Sequence, residues 1–152
     1  MTIATFQFPF QRILDVKENE KAQAQLEMAE VLKMQVDLER AIATLDQEIY
    51  SMRERLEQRQ LDGLSITELL KAEEHISYLE RQLQGQQNQL IQINTQLSSH
   101  QDALATKVKE EKTWQSIKET RKEEFHRDLQ IIEQNELDDL NTVRAYMLAR
   151  NG

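Results

Sequence analysis

Leu38-Glu39-Arg40-Ala41-Ile42-Ala43-Thr44-Leu45-Asp46-Gln47-Glu48-Ile49-Tyr50-Ser51-Met52-Arg53-Glu54-Arg55-Leu56 carries the pattern from which the rest of the chain can be read. Its large apolar residues, Leu38, Ile42, Leu45, Ile49, Met52 and Leu56, recur in steps of four and three. That spacing puts them on one stripe of a helix, and no strand produces it. Arg40, Glu48, Arg53, Glu54 and Glu57 fall off the stripe, as solvated flanks do. Counting back in the same register gives Val31, Met28, Ala24, Leu14 and Phe10, interrupted by Gln35, Lys21 and Lys17. Pro9 suits the first turn of this helix, where its missing N–H costs nothing.

Downstream the stripe meets Leu61-Asp62-Gly63-Leu64-Ser65-Ile66-Thr67-Glu68. Gly63 fits the position just beyond a helix C-terminus, and Ser65 with Glu68 three residues later is a capping box for a new helix. A second seam then runs Leu69, Ala72, Ile76, Leu79, Leu83, Gln86, Leu90, Ile93, Leu97, His100, Leu104, keeping phase across Gly85. It loosens around Val108, Trp114 and Ile117 and resumes as Phe125, Leu129, Ile132, Glu136, Leu140, Val143 and Met147. The long Trp114-to-Phe125 step relaxes the left-handed supercoil locally.

The pattern predicts an all-α fold, two long helices in an antiparallel coiled coil within one domain spanning 1–152. The first helix is expected at about 9–60, the turn at 61–66 and the second long helix at 86–148. A simple hairpin would leave the second helix much longer than the first and Phe125, Leu129, Ile132, Leu140 and Val143 uncovered. The preferred expectation is therefore that 66–84 folds back as a short helix at the tip, leaving 86–148 to pair with 9–60. About 60 paired residues would make a rod of about 90 Å.

Composition agrees. The 152 residues are 39% hydrophobic and 30% charged, with three Gly and one Pro to reverse the chain. No cysteine is present, which removes disulfides, zinc–thiolate sites and Cys nucleophiles together. No apolar run is long enough to span a membrane, and the first residues lack the regions of a secretory signal, so a cytoplasmic location is expected. The net charge of −8 argues against nucleic acid, whose phosphates are bound mainly by Lys and Arg. Lys107, Lys109, Lys112, Arg121 and Lys122 are interleaved with Glu110, Glu111, Glu119, Glu123 and Glu124, which reads as a solvated face.

Chemistry is not expected. His75, His100 and His126 have no partner at metal-ligand spacing, and His100 reads as a polar seam residue that fixes register. No glycine-rich phosphate loop or nucleophile–base pairing can be assembled. Asp138 and Asp139 are neighbours in sequence and diverge on a helix. The expectation is no catalytic site, no cofactor, no metal and no small-molecule substrate.

Four features stand out. Phe6, Phe8 and Phe10 either staple the start of the first helix onto the second or form an apolar tip for a partner. Trp114, the one Trp, reads as core packing. Tyr50 and Tyr78 sit beside the seam as candidate interface anchors. The Gln- and Asn-rich stretch 82–101 reads as helix surface.

Phe6-Gln7-Phe8-Pro9-Phe10-Gln11-Arg12-Ile13-Leu14-Asp15-Val16-Lys17-Glu18-Asn19-Glu20-Lys21 resembles the N-terminal signature of the FliJ family of the bacterial flagellar export apparatus, in particular its Bacillus-type members. Gly63-Leu64-Ser65-Ile66-Thr67-Glu68, Trp114-Gln115-Ser116-Ile117 and Glu136-Leu137-Asp138-Asp139-Leu140 resemble that family's turn, second helix and acidic C-terminal motif. The resemblance implies a non-enzymatic stalk, similar to the coiled-coil stalk subunit of rotary ATPases. It would bind a hexameric export ATPase ring, the cytoplasmic domain of the membrane export gate, and export chaperones.

By position, Phe6, Phe8, Phe10, Leu140, Val143 and Met147 would face the ring, and Ile49, Tyr50, Leu79 and Gln86 the gate. The chain departs from the enteric pattern there, with His75 in place of an aromatic and Gln82 and Gln86 in place of Ala and His. Its implied place is the cytoplasm, peripheral at the membrane's inner face through the gate alone. Alternatives are a general export chaperone holding unfolded subunits on an apolar seam, the equivalent stalk of a virulence type III system, or a homodimeric structural coiled coil.

Overall fold

A computed structural model describes residues 4–151. Two helices, α1 (Gln11–Asp62) and α2 (Ile66–Asn151), pack as an antiparallel hairpin, with no strand among the described residues. Packing divides into two units. One comprises the chain up to Lys21 together with the chain from Lys107 onward, the other Ala22–Thr106.

The start of α1 is built by carbonyls rather than by a capping side chain. The Gln11 amide donates to the Phe8 carbonyl at 3.1 Å, and Ile13 and Leu14 donate to the Phe10 carbonyl at 3.0 and 3.1 Å. Pro9 therefore sits in the turn before the helix and not in its first turn. The stop is set by Gly63, whose φ of +100° is the left-handed value that favours a residue without Cβ. Ser65 then caps α2: its Oγ accepts from the Glu68 amide at 3.2 Å, and its carbonyl accepts from the Leu69 amide at 3.0 Å. The Glu68 carboxylate does not complete a capping box. It accepts from Arg59 across the turn at 3.3 Å.

The expected fold-back of 66–84 does not occur. α2 is unbroken from Ile66 through Gly85 to Asn151. Two physical reasons favour the simple hairpin. The short turn brings Ile66 straight back alongside α1, and 66–84 carry a seam already in phase with it. Leu45, Ile49 and Leu56 close around Ile76 and Leu79, with Met52, Leu64, Leu69, Ala72 and Leu83 packed against them. Folding 66–84 away would give up that burial, worth about 1.5–3 kcal/mol for each large apolar side chain. Gly85 breaks nothing, and a Cβ there would meet no atom within 4 Å.

Candidate partner-binding surface

In the unit containing the chain start, Phe6 and Phe10 are seated on α2 and Phe8 packs beside Phe10. Phe8 is buried, Phe6 is half-buried and its ring lies 5.7 Å from that of Phe125. Phe10 stands edge-on to Phe8 at 5.9 Å and tilted to Trp114 at 5.9 Å, and the Arg121 guanidinium lies 5.0 Å from its ring centre. A cation over a ring face adds electrostatic attraction to the apolar contact. Leu14, at 1% exposure the most completely enclosed side chain, sits one turn into α1. The stapling alternative for Phe6, Phe8 and Phe10 thus describes their contacts within the chain.

Lys17 and Lys21, which interrupt the apolar seam, reach acidic partners on α2. Lys17 Nζ donates to Glu110 at 3.1 Å, Lys21 Nζ to Glu111 at 3.1 Å, and Lys107 Nζ to Glu20 at 3.1 Å. Lys107 and Glu110, read from the sequence as a solvated face, therefore pair across helices. The signal that could have found this lay in α1, since a lysine at a seam position needs an anion opposite. The hydrogen bond from Lys107 lowers the Glu20 pKa below its ordinary 4.5, helped by the charges of Lys107 and Lys17 against the opposing cost of desolvation. The Lys107 pKa is raised above 10.5, first by the bond to Glu20 and then by the charge of Glu110.

Beyond Leu129 every described residue of α2 is exposed. Leu140 at 65% and Met147 at 58% are open to solvent, together with Ile132, Val143 and Tyr146 on the same side of the helix. Ile131, Leu137 and Leu148 add further exposed apolar surface on other faces. Periodicity marked part of this set, but Ile131, Leu137, Tyr146 and Leu148 lie off the seam and were missed. Large apolar side chains left open in this number on one helix end make it a candidate docking surface.

In the other unit, Ile49 and Leu79 belong to the core, so their side chains are not offered to solvent. Gln86 faces the seam half-buried, and its Oε1 is enclosed with no hydrogen-bond partner. Tyr50 is exposed and donates to Glu54 at 2.9 Å, which raises its pKa, chiefly through that bond. Tyr78 is exposed, accepts from Gln82 at 2.7 Å and stacks on His75 at 6.4 Å. At the turn, Leu61, Ile66 and Leu70 are exposed. Arg53 pairs with Glu80 across the helices. His100 lies half-buried in the seam, its Nδ1 at 4.0 Å from Glu27.

Among the described residues no three His, Asp or Glu are placed to hold a metal ion, and no helix is long and apolar enough to cross a membrane. The surface concavities are open grooves along single helices, such as that lined by Ile91, Asn94, Thr95, Ser98, Ser99 and Asp102. These grooves are open to solvent, unlike the enclosed cavities that take small ligands.

These features define a class: an all-helical antiparallel coiled-coil protein whose second helix outruns its partner and carries apolar surface into solvent. The family model described as "Flagellar FliJ protein" matches residues 6–150. The "Flagellar FliJ protein" of Bacillus subtilis (strain 168) is 26% identical over 147 residues, covering 94% of this chain and 97% of its own. No solved structure matches. The chain belongs to the FliJ family and is a component of the flagellar protein export apparatus.

Proposed function

We propose that the protein is a non-catalytic coupling component that engages the export ATPase ring and the cytoplasmic domain of the export gate, and receives export chaperones, at the cytoplasmic face of the membrane. The observation that carries this reading is the exposed apolar stretch Ile131–Leu148, on a helix that continues past the last residue packed against α1. Leu140, Val143 and Met147 would be its anchors in the ring, with Phe6, Phe8 and Phe10 forming the base from which that helix projects. At the gate, Tyr50 and Tyr78 supply the accessible side chains, while Ile49, Leu79 and Gln86 hold the helix faces beneath them.

Burial along the paired seam favours this reading over a chaperone that holds unfolded clients there, because the seam side chains from Leu38 to Leu56 and from Leu69 to Leu104 are buried or half-buried against the other helix. The test is a Leu140→Ala, Val143→Ala, Met147→Ala variant. Its helicity and melting should match the parent, since all three side chains are exposed. Its affinity for the purified export ATPase should fall about tenfold or more, as expected for loss of buried interface anchors. Unchanged binding would remove the ring assignment.

A further inference from the structure

Lys17, Glu20 and Lys21 of α1 and Lys107, Glu110 and Glu111 of α2 form one cluster within a single unit. Lys17 and Lys21 occupy the two seam positions after Leu14, where other turns of α1 bury Leu, Val or Ile. Here, then, the helices are held by charge where elsewhere they are held by oil. The side chains are 16–36% exposed, so the ions reach solvent while the lysine stems lie along the seam. Lys17 and Lys107 also contact Glu20 and Glu110 on their own helices, at 3.6 and 3.8 Å. These four residues therefore share partners and can rearrange without one bond being decisive, with the Lys21–Glu111 pair beside them.

On the chain-start side of this cluster the hold consists of Leu14 and the rings of Phe6, Phe8, Phe10, Trp114 and Phe125. We propose that the six charged residues are an ionic latch. Screening or competing charge loosens it, and the segment Phe6–Lys21 then swings off Lys107–Phe125 as a unit, baring the face around Phe10 and Trp114. Partly exposed ion pairs are the share of this hold that ionic strength weakens, and segments of a fold open as local units with their own free energy. The latch differs from a fixed register device because its strength follows ionic strength: the screening length shortens from about 30 Å at 0.01 M to about 3 Å at 1 M. It does not depend on what binds the exposed end of α2.

Hydrogen exchange on the full chain, with acrylamide quenching of Trp114, tests it between about 0.02 M and about 0.5 M NaCl. Protection of peptides from 10–21 and 107–119 should fall together about three- to tenfold, with Trp114 more quenched. Peptides from 45–56 and 72–83 should hold their protection. Lys17→Glu, which faces Glu110 and Glu20, should open the segment already at low salt. Replacing Lys17, Lys21, Glu110 and Glu111 together by Leu, which leaves the Lys107–Glu20 pair, should remove most of the salt dependence and raise protection. A uniform response along the chain, or no response to salt and to Lys17→Glu, would overturn the latch. Both outcomes are read without any export component present.

Discussion

The seam around Ile76 and the seam around Lys17 occupy the same heptad frame and are held by different physics. In the first, Leu45, Ile49, Leu56, Ile76 and Leu79 exclude water from one another. In the second, Lys17 and Lys21 reach Glu110 and Glu111 at 3.1 Å through partly exposed side chains. Periodicity tells which face meets the other helix. What fills the face decides how strongly it holds and under what solution conditions. A coiled coil can thus be permanent along one stretch and conditional along another without any break in its helices.

The largest effect that would sharpen this contrast is Ile76→Ala. Ile76 is 4% exposed at the centre of the apolar cluster, so the change removes buried methylenes and leaves a void. A loss of about 2–4 kcal/mol is expected, read from denaturant unfolding, with Tm falling about 2–4 °C for each kcal/mol. Ile132→Ala deletes the same atoms from an exposed site and should change stability by no more than about 0.5 kcal/mol. If the two variants unfold alike, the split between buried seam and open stripe is wrong.

Much of the packing was legible from spacing alone. Leu14, Ala24, Val31, Leu45, Ile49, Leu56, Ile76 and Leu79, all on the predicted seams, are buried. Gly63 and Ser65 marked the turn because a positive φ and a capping hydroxyl are local requirements that a few residues express completely. The pairing of 66–84 was not legible in the same way. The sequence shows an apolar stripe at 132–147, and economy of burial suggests covering it. Covering it would uncover the seam beside the turn, and the comparison of those two burials appears only when both helices are in place. The ion pairs were hidden for a related reason. Lys107 and Glu110 look like surface charge until α1 sets Lys17 and Glu20 against them.

Smaller effects test the polar and backbone exceptions in the Ile76 unit. Gly63→Ala should cost about 1–2 kcal/mol, all of it from the φ of +100°, because a Cβ there meets nothing within 4 Å. Gln86→Leu should stabilise by about 1 kcal/mol, since it replaces a buried acceptor without a partner by an apolar group. Gln35→Leu is the matched control. Gln35 is also half-buried in the seam but donates to Asn94 at 2.8 Å, so its replacement gives up a bond that is made and should be close to neutral or slightly destabilising. Equal shifts for the two glutamines would mean that enclosure of Gln86 has no energetic consequence.

The smallest effect probes the charged stretch through pH. Glu20 has a folded pKa below 4.5, so its contribution is present above the unfolded value and is lost as pH falls through the folded one. Lys107 has a folded pKa above 10.5, so its contribution is complete below the unfolded value and is lost as pH rises through the folded one. Between these limits the pair contributes fully and stability should be flat with respect to it. Glu20→Gln should therefore remove part of the acid dependence of the unfolding midpoint and also part of the alkaline dependence, because the bond to Glu20 is the first cause of the raised Lys107 pKa, and Lys107→Met should likewise weaken both limbs. Because the chain carries many other carboxylates, the quantity to compare is the difference between parent and variant at each pH. A difference that stays constant from pH 2 to pH 7 for Glu20→Gln would mean that the Lys107–Glu20 contact does not hold in solution, and the charged seam would then be no more than helix surface.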